Sequence, residues 1–199
     1  MPSLFTQPAY AISFVIVLII WAAPDVRDSL TRRAGTRRAE AVVRETGSHE
    51  LFRVALSLAL ISAVLLAHFR PQDTLPDHRP YLFVLGGAMA LGGLVLRRWA
   101  IHTLGRYFTV DVAVSAGQPV IDSPPYRRIR HPSYSGSILS IVGTAVMLGH
   151  WLGVALVLVA VVVSFSYRVR LEERALLQTI GEPYAAYMQR TKRFVPFVW

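Results

Sequence analysis

The chain of 199 residues contains no cysteine. That excludes disulfides and thiolate metal sites. Acidic residues are few: 12 Asp and Glu stand against 21 Lys and Arg, for a net charge of +9. Histidines 49, 68, 78, 102, 131 and 150 are scattered without an HxxxH or similar pair, so the sequence offers no metal site. The arginines lack interleaved aromatic residues, which sets nucleic acid aside as a partner. No Lys or Arg precedes the first apolar run, so the charged start of a secretory signal peptide is missing. What is abundant is apolar surface. Hydrophobic residues make up 53% of the chain, in runs longer than a soluble domain of this length carries. Basic residues flank those runs, the pattern of an integral membrane protein.

The runs predict an all-α integral membrane protein, one membrane domain over residues 1–199 with five transmembrane helices. The spans fall at 10–23, 51–69, 81–96, 134–148 and 152–167. Gly149-His150-Trp151 is so short a connection that the fourth and fifth spans form an antiparallel hairpin. The loop after span one, the region after span three and the C-terminal tail carry six Lys or Arg each, and Arg53 abuts the same side, whereas only Arg70 and Arg79 face the other. This asymmetry places the N-terminus outside and the C-terminus in the cytoplasm. In span three, Gly86-Gly87 and Gly92-Gly93 lie mid-membrane with no preceding strand. They read as surfaces for close helix packing, as do Gly136, Ser140 and Thr144 on span four. Residues 110–114 alternate like a strand, but with so little chain around them an extended segment under the bundle is expected rather than a sheet. After span five the helix continues into a polar tail, with Gly181 as its C-cap and a short helix carrying Tyr184 and Tyr187 beyond it. The apolar residues 194–199 are expected to return to the interface.

One stretch collects chemistry. Arg130-His131-Pro132-Ser133-Tyr134-Ser135-Gly136 stands where a basic loop meets span four. Pro132 suits the first turn of a helix, where its missing N–H is no loss. Such a helix mouth has free N–H groups and the positive dipole end, a place for an anionic group. The hairpin returns Arg168 and Glu172, four apart on one helix face, to the level of Arg130, His131 and Tyr134. Arg168 and Glu172 alone read equally well as a surface ion pair with snorkelling arginine. The convergence of Tyr126, Arg130, His131, Tyr134, Arg168, Glu172 and Tyr184 favours a functional site.

With Tyr126, the Arg130–Gly136 motif, the apolar hairpin, Glu172-Glu173, Leu176, Gly181, Tyr184 and Tyr187, the chain resembles the isoprenylcysteine carboxyl methyltransferase family, from about Gly105 onward. It is more distantly similar to phospholipid N-methyltransferases. Where the family usually has Gly-Pro-Tyr or Gly-Val-Tyr, this chain has Pro124-Pro125-Tyr126. The resemblance implies a membrane enzyme that uses S-adenosylmethionine without a soluble Rossmann fold. Residues 1–99 would then hold three helices and 100–199 the catalytic region. The resemblance carries cofactor contacts onto Gln118, Pro119, Val120, Ile121, Tyr126, His131, Pro132, Ser133, Tyr134 and Glu172, and catalytic roles onto Arg168 and Arg130. It implies a lipophilic acceptor entering from the membrane lipids, with a carboxylate as the expected methyl acceptor and a thiol or an amine as the alternatives. Two other readings remain: an NADPH-dependent reductase similar to the membrane sterol reductases, which carry a related Arg-His-Pro-x-Tyr segment, and a non-catalytic membrane scaffold.

Overall fold

In the computed structural model the described residues are 11–20, 23, 41–45, 48–74, 79–109, 112–115 and 117–195. Helix α1 is the apolar segment Ala11–Ile20. Strand β1 (Ala41–Glu45) follows, then α2 (Ser48–Phe69), a 3-10 turn at Pro71–Asp73, α3 (Arg79–Leu104) with a further 3-10 turn at Gly105–Tyr107, and strand β2 (Val112–Ser115). The chain ends with α4 (Pro132–Met147), α5 (Trp151–Ile180) and α6 (Glu182–Arg190). Three helices are long and apolar enough to cross a membrane, over Phe52–Phe69, Pro80–Tyr107 and Trp151–Ile180. At 16 residues α4 is shorter. Much of the apolar side-chain surface on α2, α3 and α5 faces outward, including Leu58, Ile61, Val84, Val95, Val159 and Val163. Only a lipid environment makes that favourable.

The chain departs from an all-α architecture at one point. The alternating stretch is a strand: β2 pairs antiparallel with β1, from Ala41 opposite Ser115 to Glu45 opposite Val112, with an irregularity between Ala41 and Val43. The expectation of an unpaired segment fails because its partner comes from the polar loop after the first apolar run. Val114 then buries against Ala175 and Leu176 on the polar extension of α5. The third apolar segment also runs further than expected, so that Arg97 and Arg98 lie inside α3 rather than at its end.

Glycines decide how α3 and α4 meet. Gly86 faces Gly143 and Gly93 faces Gly136, an antiparallel pairing whose contacts are seven positions apart on each helix. A Cβ on Gly86 would stand 2.5 Å from the Gly143 carbonyl oxygen, and one on Gly143 would stand 2.6 Å from that of Gly86. Only hydrogen fits, so the backbones close together as small residues allow in lipid. The Ser140 hydroxyl adds a cross-helix bond to the Ala90 carbonyl at 2.8 Å. Gly87 and Gly92 take no part, since a Cβ on either meets nothing within 4 Å. On the other side, α2 lies along α5 through Leu56, Ala59, Ala63, Val157, Val161 and Phe165, with Phe14 of α1 completing the cluster.

Tight turns bring the polar ends together. Gly149 has φ +64 and lets the chain reverse between α4 and α5. The His150 side chain caps α5 by accepting the Gly153 N–H at 3.2 Å. Gly181, at φ +74, ends α5 as expected and donates to the Leu177 carbonyl. The polar extension of α5 therefore stands beside the start of α4, with α6 packed against α5 and the loop that leads into α4.

Candidate active site

Pro132 occupies the first turn of α4, with His131 as the N-cap residue. This fixes Tyr134 one turn in, facing α5. Its ring stacks on the His131 imidazole, with centroids 5.4 Å apart and planes 8° from parallel. Its hydroxyl sits between two groups on α5, donating to Glu172 Oε2 at 2.5 Å and accepting from Arg168 Nε at 2.9 Å. The four-residue spacing of Arg168 and Glu172 puts both on the face turned to α4, and one phenol joins them. Arg168 is 5% exposed and also lies against Phe52 of α2, its guanidinium carbon 5.3 Å from the ring centroid. Glu172 keeps 30% of its side chain accessible. The arrangement thus has an enclosed cation on one side of Tyr134 and a reachable carboxylate on the other.

Glu173, the neighbour of Glu172, has a different environment. Its side chain is 5% exposed and is surrounded by three basic groups. Arg130 Nε donates to Oε1 at 3.0 Å, Arg193 Nη2 to Oε2 at 2.8 Å, and the His131 Nε2 lies 3.3 Å from Oε1. Arg130 is committed further: Nη1 donates to the Met188 carbonyl at 2.9 Å and to the Thr191 carbonyl. The motif placed Arg130 in the chemistry, but its guanidinium points toward Glu173 and the tail. Sequence reasoning carried Glu173 only as half of the Glu172-Glu173 pair, with no role of its own, and gave none to Arg193. The Glu-Glu pair was visible, but which carboxylate turns inward depends on where the tail returns.

The tail closes over this side. Arg130 N–H donates to the Lys192 carbonyl at 2.7 Å, His131 N–H to that of Arg193 at 3.0 Å, and Lys192 N–H to that of Arg128 at 3.1 Å. Ser135 Oγ donates to the Phe194 carbonyl at 2.7 Å, and the Phe194 ring lies 6.2 Å from the imidazole. Phe194 thus returns to the bundle as expected, and residues 196–199 lie outside the described residues. Tyr187 of α6 donates to the Tyr126 carbonyl at 2.7 Å, while the Tyr126 hydroxyl reaches the Ala100 carbonyl at 3.3 Å. Burial, reinforced by the nearby Glu172, raises the Tyr126 and Tyr184 phenols well above the usual value, and burial does the same for Tyr187. All three therefore remain neutral. Gln118, Pro119, Val120 and Ile121 form an irregular stretch before the motif, with 118, 120 and 121 half-buried and Pro119 exposed. Pro132 and Ser133 are buried within the start of α4. Arg97, read only as a topology charge, reaches across from α3 to donate to Ser137 Oγ at 2.9 Å.

A lipid-facing helical bundle with a polar cluster at one end, walled by aromatic rings and holding opposite charges on either side of a phenol, defines an integral membrane protein with a candidate site at that end. Known proteins give it a family. The sequence model of the isoprenylcysteine carboxyl methyltransferase family matches residues 86–178. A probable protein-S-isoprenylcysteine O-methyltransferase of Oryza sativa subsp. indica is 33% identical over 142 residues, covering 69% of this chain and 74% of the relative. The protein-S-isoprenylcysteine O-methyltransferase B of Arabidopsis thaliana is 37% identical over 115 residues, 57% of this chain and 58% of the relative. Among solved structures, a eukaryotic intramembrane Ras methyltransferase, an isoprenylcysteine carboxyl methyltransferase, shares the fold with a TM-score of 0.69 at 22% identity, covering 94% of this chain and 66% of that one. The chain belongs to the isoprenylcysteine carboxyl methyltransferase family. It is an integral membrane methyltransferase, and the reductase and scaffold readings fall away. The family match begins within α3, earlier than Gly105, and stops before α6.

Proposed function

We propose that this protein transfers a methyl group from S-adenosylmethionine to the carboxylate of a lipophilic acceptor, across the Tyr134 hydroxyl. The observation that carries the reading is that single phenol bonded to both Arg168 and Glu172. The residues present suit the donor. Glu172 is an accessible carboxylate for the donor's ammonium group, and the positive dipole end at the start of α4 suits its carboxylate. The stacked His131 and Tyr134 rings suit a sulfonium cation. When bound, the donor supplies an electrophilic methyl: an acceptor oxygen forms the C–O bond as the C–S bond breaks, giving a methyl ester and S-adenosylhomocysteine. The acceptor carboxylate is already charged, so this displacement needs no general base. It needs alignment and exclusion of water.

Arg168 holds the acceptor carboxylate, for which a planar guanidinium fork is suited. Glu172 and Tyr134 hold the donor, with His131, Pro132, Ser133, Tyr126 and the stretch Gln118–Ile121 framing its pocket. Arg130 is a positioning residue, since its guanidinium fastens the motif to Glu173 and the tail. The acceptor enters sideways from the lipid and the donor from the cytosol. This reading retains five membrane crossings in one membrane domain, with the N-terminus outside and residues 100–199 presenting the site to the cytoplasm.

Isothermal titration of the detergent-purified protein with S-adenosylhomocysteine tests the donor, with NADPH as control. Micromolar binding of S-adenosylhomocysteine alone is expected. Arg168→Ala should abolish transfer and leave that binding largely intact. Binding of NADPH in its place, or full transfer by Arg168→Ala, overturns the assignment.

A further inference from the structure

Helix α2 lies wholly outside the residues matched by the family model, yet it supplies one wall of the site. Phe52, near its start, sets its ring edge-on against Phe165 of α5, with centroids 4.8 Å apart and planes at 82°. Tyr134 meets the same Phe165 at 5.5 Å and 68°. The two rings thus stand on one buried support, and the Arg168 guanidinium carbon lies 5.3 Å from the Phe52 centroid and 5.9 Å from that of Tyr134. Tyr134 anchors Arg168 at Nε.

We infer that Phe52 is a positioning residue for the methyl acceptor: its ring and that of Tyr134 clamp the Arg168 guanidinium in the orientation that receives the acceptor carboxylate. The inference rests on the proposed role of Arg168. A guanidinium on a flexible stem must lose rotamer freedom to grip a carboxylate bidentately, and that loss weakens binding. Rings against the guanidinium hold it by cation–π attraction and keep water from it before the acceptor arrives. A ring that merely filled space beside Phe165 could be replaced by any apolar side chain of similar volume. A clamp could not, because the attraction requires a π face. The same wall is apolar and belongs to a lipid-facing helix, so an acceptor whose carboxylate reaches Arg168 would have its hydrocarbon beside Phe52.

The test compares the ringless variants Phe52→Leu and Phe52→Met with the aromatic Phe52→Tyr and Phe52→Trp. Transfer is measured to N-acetyl-S-farnesylcysteine, an amphiphile with one free carboxylate. Titration of each variant with S-adenosylhomocysteine shows that it is folded. Both ringless variants should raise KM for the acceptor about tenfold, with kcat lowered far less and donor-product affinity unchanged, and an aromatic variant should restore KM. Unchanged acceptor KM in Phe52→Leu and Phe52→Met overturns the clamp, as does an equal loss in the aromatic variants. Loss of S-adenosylhomocysteine binding in both ringless variants assigns Phe52 to folding and also overturns it. Arg168→Ala, assayed alongside, separates the two levels. If it loses transfer while the ringless variants keep their KM, only the clamp fails. If it transfers normally, or if the unaltered protein does not methylate the probe, the carboxylate reading itself fails and the clamp with it.

Discussion

Glu172 and Glu173 are adjacent, chemically equivalent and placed in opposite circumstances. Glu172 keeps part of its side chain accessible and bonds the Tyr134 phenol. Glu173 is enclosed by Arg130, His131 and Arg193. Buried charge is tolerated only with partners, and removing one partner leaves the others uncompensated. Glu173→Gln should therefore lower stability by about 3–5 kcal/mol, the usual cost of breaking a buried pair. The thermal midpoint in detergent would fall by roughly 10 °C for a chain of this size. Glu172→Gln should leave that midpoint within about 2 °C and weaken S-adenosylhomocysteine binding roughly tenfold or more, the effect of losing a charge-assisted contact. The opposite pattern would exchange the two roles. The motif identified the group of residues, and the four-residue spacing correctly put Arg168 and Glu172 on one face. Which residues hold the tail was not legible, because Arg193 meets Glu173 only after the chain turns at Gly181 and again after α6.

At the scale of elements, two helix pairs are built on different contacts. Interlocking glycines join α3 to α4, and alanines facing valines join α2 to α5. Sequence reading named small-residue packing for span three but could not say which glycines face a partner, since Gly86-Gly87 and Gly92-Gly93 each offer two candidates 100° apart around the helix. The structure divides each pair cleanly. Gly86 and Gly93 abut backbone, whereas Gly87 and Gly92 face open space. Gly86→Ala and Gly93→Ala should each destabilise by about 1–3 kcal/mol, the range for inserting a methyl into a closed contact. Gly87→Ala and Gly92→Ala should be neutral or stabilise by up to about 1 kcal/mol through helix propensity. Detergent thermal melts of the four variants check this, and equal behaviour within a pair would mean that α3 is rotated from the position seen here. The ribbon was missed for a related reason. Alternation in residues 110–114 signalled an extended strand, but pairing needs a partner, and β1 is separated from β2 by two long helices.

For the whole molecule, the lack of cysteine becomes an experimental advantage. The apolar runs that predicted the second to fifth spans each correspond to a helix, although α4 at 16 residues and the ten described residues of α1 are shorter than a crossing requires. Orientation rests on arginine distribution, a statistical rule about loops that packing does not test. Two exposed glutamines can test it: Gln72, in the connection between α2 and α3, and Gln178, on the polar extension of α5 beyond Arg168 and Glu172. In an otherwise cysteine-free chain, Gln72→Cys or Gln178→Cys is the only thiol present. A membrane-impermeant maleimide applied to intact expressing cells should label Gln72→Cys and spare Gln178→Cys until the membrane is opened. Reversed labelling would put the site on the outer face, where cytosolic S-adenosylmethionine cannot reach it, and the proposed donor would have to be abandoned. Labelling of both or neither would put α2 and α5 out of the proposed crossing pattern, because their polar ends must emerge on opposite sides if α3, α4 and α5 each cross once.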